Sequence, residues 1–289
     1  MHAATDAIQV GKILDTLGSL RDSLTPSARR IADYVLVQPQ RVTELSIAEL
    51  AQQANVGEAS IIRFCRALNF KGFQDLKMKL AIEVATPHDT EKHMLDTELT
   101  ADDDAEHIGR KLQQTINNVL GETLNLLDFS KLEAVACALQ QQKRIYFFGV
   151  GSSGITAEDA KNKLMRIGFD VDALTNNHFM YMKAALLNSD DVAIGISHSG
   201  TSKETIKALA LAKECGATTV ALTHNPLSPL AELSDYVLIN GNRQGQLQGD
   251  SIGTKITQLF VLDMLYTLLV RDNPQHTRQQ KYKTTQALD

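Results

Sequence analysis

The segment Ser197-His198-Ser199-Gly200-Thr201-Ser202 places four hydroxyls within six residues, immediately before an amphipathic stretch that opens at Lys203. Hydroxyls and unpaired backbone N–H groups at a helix start bind anions, because the orphan donors and the helix dipole both favour negative charge there. The chemistry this pattern suits is capture of a phosphate group. Thr201 and Glu204 are also spaced as a capping box, so a turn of this composition serves equally as an ordinary helix cap. A second copy tips the balance. Gly149-Val150-Gly151-Ser152-Ser153-Gly154 likewise follows an apolar run and precedes a helical stretch from Ile155 to Ile167. The candidate ligand contacts are Gly151, Ser152 and Ser153 in one loop and Ser197, Ser199, Gly200, Thr201 and Ser202 in the other.

Two such loops act together only if the fold holds them side by side. Arg144 to Phe148 and Val192 to Ile196 are short apolar runs of the kind that form fully buried parallel strands. With Val171 to Leu174, Thr218 to Thr223 and Tyr236 to Ile239 they make five expected strands, alternating with helical segments. That alternation predicts a doubly wound parallel α/β sheet. Ligands bind such sheets beyond the carboxyl ends of the strands, at the switch point where both loops converge. Upstream, Ile108, Leu112, Ile116, Val119 and Leu120 mark one helix. Ser130 and Glu133 are spaced to cap another, which carries Leu132, Val135, Ala136 and Leu139. A last helix from Ile252 to Leu269 has an apolar face broad enough to cover the sheet or to pair with a second subunit.

The region from Val10 to Ala85 reads as all helical. Ser46 and Glu49 form a capping box for a short helix, Asn55-Val56-Gly57 breaks it, and a second helix runs from Glu58 to about Leu68. This is helix-turn-helix spacing, in which the second helix enters the DNA major groove. Ile61, Ile62, Cys65 and Leu68 form the expected inward stripe, leaving Ser60, Arg63 and Arg66 outward. Between Ser60 and Lys79 the cations Arg63, Arg66, Lys71, Lys77 and Lys79 face one acid, Asp75. In a chain of net charge -5, that excess suits a phosphate-backbone footprint, although such a run on a helical bundle also serves as a solvated face. The expected DNA contacts are Ser60, Arg63, Arg66 and Lys71. Phe64, Phe70 and Phe73 are assigned to packing rather than base stacking.

At 289 residues, the chain has room for about two domains. Residues 1–85 form the expected DNA-binding domain, 86–128 a polar, acidic linker and connecting helix, and 129–289 the ligand-binding domain. The first twenty residues lack a continuous apolar region, and the apolar stretch Val261 to Val270 is interrupted by Asp263, so neither a signal peptide nor a membrane span is expected. Cys65, Cys137 and Cys215 lack metal-ligand spacing and suit a reducing cytoplasm. Three consecutive aspartates, Asp102 to Asp104, point in different directions and make no metal site. No cofactor is expected.

The two hydroxyl-rich loops resemble those of the sugar isomerase (SIS) fold. The stretch from Ser46 to Leu80, above all Ile61-Ile62-Arg63-Phe64-Cys65-Arg66-Ala67-Leu68, is similar to the N-terminal domain of RpiR-type bacterial regulators. The resemblance covers nearly the whole chain. It implies a dimeric or larger homo-oligomeric repressor of carbohydrate catabolism that binds double-stranded operator DNA and a phosphorylated sugar or sugar acid. The pattern is most similar to regulators of central hexose catabolism, for which the implied effector is 2-keto-3-deoxy-6-phosphogluconate. Family roles fall on Ser153, Ser197, Ser199, Thr201 and Ser202 as ligand contacts. Gly57 replaces a frequent Ser or Thr cap and Asn69 a frequent Gly, and both substitutes are conformationally allowed. The rival reading is a sugar-phosphate isomerase with Glu204 as general base and His198, His178 or His224 as helpers. Two observations weigh against it: Glu204 is accounted for by capping, and an isomerase has no use for Arg63 and Arg66. No catalytic residue is assigned.

Overall fold

The computed structural model describes residues 12–85, 102–241 and 252–288. The expected helical start at Val10 and most of the expected linker, 86–101, lie outside these residues. Packing divides the chain into two compact units, with the boundary after Asn118.

The first unit is helical, as expected: α1 (Ile13–Leu20), a 3-10 turn (Arg21–Ser23), α2 (Pro26–Val37), α3 (Pro39–Val42), α4 (Ile47–Gln53), α5 (Glu58–Ala67) and α6 (Phe73–Ala85). Their apolar faces meet in one core that includes Ile13, Leu17, Ile31, Leu50, Ile61, Phe64, Leu76 and Leu80. Lys12, at the start of α1, supplies no side-chain cap. The buried Glu83 near the end of α6 takes that role, accepting from Ile13 N at 2.8 Å and Leu14 N at 3.0 Å. A carboxylate there pairs orphan N–H groups and complements the helix dipole.

In the second unit, helix α7 (Ala105–Leu126) crosses the packing boundary and leads into α8 (Phe129–Gln141). Asp103 pairs with Lys111 at 2.8 Å, and Asp104 accepts from His107 N at 2.9 Å, so these aspartates serve the start of α7. Among the described residues no cluster of His, Cys, Asp and Glu is arranged to hold a metal. The expected Ser130–Glu133 box does not cap α8. Asp128 caps it instead, accepting from Ser130 N and Lys131 N, because the helix already begins at Phe129.

The remaining elements are β1 (Arg144–Phe148), α9 (Ser152–Arg166), β2 (Val171–Leu174), α10 (Asn177–Ala184), β3 (Asp191–Ile196), α11 (Lys203–Glu214), β4 (Thr218–Thr223), α12 (Pro229–Leu233), β5 (Tyr236–Ile239), α13 (Ile252–Asp272) and α14 (Pro274–Gln286). All five strands are parallel, in the order β2-β1-β3-β4-β5. Alternation along each strand sends Ile145, Phe147, Val192 and Ile194 to a core with α8, α9 and α13. Tyr146, Phe148 and Ala193 face a second core with α10 and α11. Helices therefore cover both faces, as the strand pattern predicts.

Helix α13 is long and apolar enough to cross a membrane by length and composition. Its Val261, Leu262, Leu265 and Leu269 are buried in the sheet core, which accounts for that apolarity. The buried Asp191 fixes the start of β3 by a two-pronged bond with Arg144 of β1, Nε to Oδ1 and Nη2 to Oδ2, both 2.8 Å.

Candidate functional site

The strand order reverses between β1 and β3, which lie side by side with Phe148 opposite Gly195. Both hydroxyl-rich loops leave the carboxyl ends of these two strands, so the fold brings them to one switch point. In the first loop, Gly151 occupies the cap position of α9 at φ 58° with no side chain capping the helix, which leaves the first N–H groups to the loop. A Cβ on Gly149 would lie 2.8 Å from Ser153 O, so this tight approach requires glycine. Ser152 is exposed, and the half-buried Ser153 Oγ accepts from Gln258 Nε2 at 3.3 Å.

In the second loop, the buried Ser197 donates its N–H to Leu222 O at 3.1 Å, and Gly200 N donates to Ser197 O at 3.0 Å. Gly200 sits at φ 66° directly over Ser228, where any side chain would collide. Ser199 and Thr201 are exposed, with their hydroxyls 2.8 Å apart. The expected Thr201–Glu204 capping box is not formed. The turn at Gly200 delays the helix by one residue, so Ser202 is the cap: its hydroxyl accepts from Thr205 N and donates to Glu204 Oε2 at 3.1 Å. Thr201 is thereby released into the loop, and Glu204 remains engaged, by a hydroxyl rather than by backbone.

Residues beyond the expected ligand contacts complete the site. Gln258 of α13 is fully buried and joins Ser153 to Thr156 Oγ1, 3.2 Å away. His198 and His224, at the ends of β3 and β4, stack with ring centroids 5.1 Å apart. Burial, and next the charge of His224, push the His198 imidazole down to about 4, so it is neutral at pH 7. Its Nδ1 is buried without a hydrogen-bond partner. The sequence signal for Gln258 was a polar pair, Thr257-Gln258, interrupting an apolar helix; with no sheet to place it against, it carried no meaning.

In the first unit, α4 and α5 form the expected turn motif. The Ser46–Glu49 capping box is present. Both helices end in left-handed asparagines, Asn55 at φ 52° and Asn69 at φ 59°. Val56 N bonds Ala51 O, and Phe70 N bonds Cys65 O, each at 2.9 Å, closing the turns. Ile61, Phe64, Cys65 and Leu68 face the core. Ile62, expected inward, is 39% exposed, because the i, i+3, i+4, i+7 stripe starting at Ile61 excludes it. It joins Arg63 and Arg66 on the outer side, where Arg63 Nη2 donates to the half-buried Ser60 Oγ at 3.0 Å. Lys71 is exposed. Lys77 instead donates to Leu45 O at 2.7 Å, and Lys79 pairs with Asp75 at 3.3 Å, so neither is an unengaged cation for a partner. Phe64, Phe70 and Phe73 are buried, as expected. Burial pushes the Cys65 thiol up to about 12, leaving it inert.

Residues 11–87 match the helix-turn-helix domain of the rpiR family, and residues 138–268 match the SIS domain. An HTH-type transcriptional regulator from Haemophilus influenzae is 56% identical over 95% of both chains. Another from Caldanaerobacter subterraneus is 38% identical over 90% of both. Among solved structures, the Vibrio vulnificus NanR protein complexed with ManNAc-6P is 27% identical, covers 95% of this chain and 97% of its own, and has a TM-score of 0.60. The chain belongs to the rpiR family of helix-turn-helix transcriptional regulators, with an N-terminal DNA-binding fold followed by a SIS domain.

Proposed function

We propose that this regulator binds a phosphorylated sugar or sugar acid between the loops after β1 and β3, and that occupancy weakens its hold on operator DNA. In this reading residues 1–85 read DNA, 86–128 connect, and 129–289 sense. The protein acts in the cytoplasm as a homodimeric repressor of carbohydrate catabolism. The observation that carries the reading is the convergence of the uncapped start of α9 with Ser197, Ser199 and Thr201 at one switch point. Exposed Arg63, Arg66 and Lys71 supply the cationic face that operator phosphates and bases require.

Two effectors fit this chemistry, both carrying a phosphate ester on a polar carbon chain. One is 2-keto-3-deoxy-6-phosphogluconate, the effector implied by the narrower resemblance to regulators of central hexose catabolism. The other is ManNAc-6P, the ligand named for the Vibrio relative. The test is titration of a selected operator at one fixed salt concentration, with each compound present and absent. Effector binding is expected to weaken operator affinity about 5 to 150-fold, and Ser153→Ala or Ser197→Ala should abolish that response while sparing ligand-free DNA binding. Equal operator affinity with and without both compounds would count against the reading. No isomerase turnover is expected. Aldose–ketose interconversion followed by NMR with hexose and pentose phosphates checks this, and turnover lost in Glu204→Gln would reverse it.

A further inference from the structure

Hydrogen bonds joined by single peptide steps, part-buried at the loops and buried beyond them, lead from both candidate ligand loops to the end of β5. From the first loop, Ser153 is held by Gln258 Nε2 of α13. The neighbouring Thr257 Oγ1 accepts from Asn240 Nδ2 at 3.0 Å. From the second loop, the carbonyl of His198 accepts from His224 N and Thr223 Oγ1, and His224 Nδ1 lies 2.9 Å from Asn240 O. The next residue, Gly241, donates its N–H to Thr123 Oγ1 of α7 at 3.0 Å, and Thr123 in turn donates to Val119 O at 2.7 Å. Thr123, Asn240, Thr257 and Gln258 are all fully buried. An independent observation marks the same place: a Cβ on Gly241 would lie 2.7 Å from Thr123 N and 2.9 Å from Val119 O, so the backbones touch.

We propose that Asn240, Gly241 and Thr123 form the joint through which the occupied loops act on α7, with Gln258 positioning Ser153 at the other end. This rests on the sensor reading above. Among the described residues, helix α7 carries the chain across the packing boundary after Asn118. A shift of either loop therefore reaches it through a last link, Gly241 N to Thr123 Oγ1, whose groups are buried away from water. Gly241 moves against α7 only if that buried N–H loses its acceptor, which carries a desolvation cost.

The test uses the full-length chain and operator DNA, with ManNAc-6P and 2-keto-3-deoxy-6-phosphogluconate as probes. Thr123→Val keeps the volume and removes the hydroxyl. Its ligand affinity, measured by calorimetry, and its ligand-free operator affinity should stay within about twofold of wild type, while the ligand-induced change in operator affinity falls about threefold or more. Thr123→Ser should restore the response, which a packing role alone would not predict. A full response in Thr123→Val would overturn the joint.

A second measurement needs no effector and does not depend on that variant folding. In ligand-free Gln258→Leu, amide exchange over residues 119–126 should rise about threefold or more relative to wild type. Unchanged exchange there would overturn the joint. If wild-type operator binding responds to neither compound, the sensor reading falls, and the exchange experiment alone decides the joint.

Discussion

Gly200 shows how one residue can hold a loop in place. Its φ of 66° is a left-handed conformation that L side chains rarely adopt, and Ser228 fills the space a Cβ would need. Gly200→Ala should therefore destabilise the sheet domain by at least about 2 kcal/mol and disorder the second loop, read by urea denaturation and loss of phosphosugar binding. His198 contributes through its protonation. Its folded value of about 4 lies below the ordinary 6.5, so between these values the unfolded chain binds a proton that the folded chain does not. Stability contributed by the neutral ring is present above pH 6.5 and is lost as pH falls toward 4. Unfolding free energies from urea titrations across that window should fall less steeply in His198→Gln than in wild type, by up to about 1.4 kcal/mol per pH unit. Equal slopes would remove the assignment. Both residues stood in the sequence as part of a hydroxyl-rich motif, but their constraint comes from Ser228 and His224, on the next strand's loop, which sequence spacing does not reveal.

The elements were legible where a local rule decides them. Apolar runs gave all five strands because both sheet faces are covered, and the Ser46–Glu49 box gave the start of α4. Caps were misread where several candidates crowd together. Thr201 and Ser202 are both competent, and only the turn at Gly200 chooses Ser202; Ser130 loses to Asp128 because α8 begins two residues earlier than a Ser130 cap would place it. Helix α14 was missed because Gln275 to Thr285 presents no apolar stripe. It docks through single contacts, such as the buried Thr277 and the packing of Gln280 over Gly168. The first unit offers a stability prediction at this scale. Glu83→Ala would leave two N–H groups at the start of α1 without their carboxylate, costing about 1 to 3 kcal/mol by chemical denaturation of the full chain. The recognition helix offers another. Arg63→Ala should weaken binding to a selected operator by about 1 to 3 kcal/mol with relaxed preference at one base position, measured by titration against single-base variants of the site.

At the scale of the whole molecule, the division of labour was readable because the two halves carry different chemistry. Cations cluster in a helical stretch, and hydroxyls cluster at strand ends. The coupling between them was not readable, since Thr123, Asn240 and Gln258 become neighbours only when α7, β5 and α13 pack. DNA affinity should fall steeply with salt, and Lys71→Ala should reduce the slope of log affinity against log salt by about one, as expected for a phosphate contact. An unchanged slope would place Lys71 off the backbone. The bond between Glu83 and the start of α1 also bears on how the first unit could be rewired. It brings residues 13 and 83 to within 2.8 Å, so the beginning and end of this helical domain are spatial neighbours. Joining them with a short linker and opening the chain at the exposed Glu44, in the turn before α4, would give a circular permutant with the same core. Sequence order, in this domain, is one of several ways to thread the same set of helices.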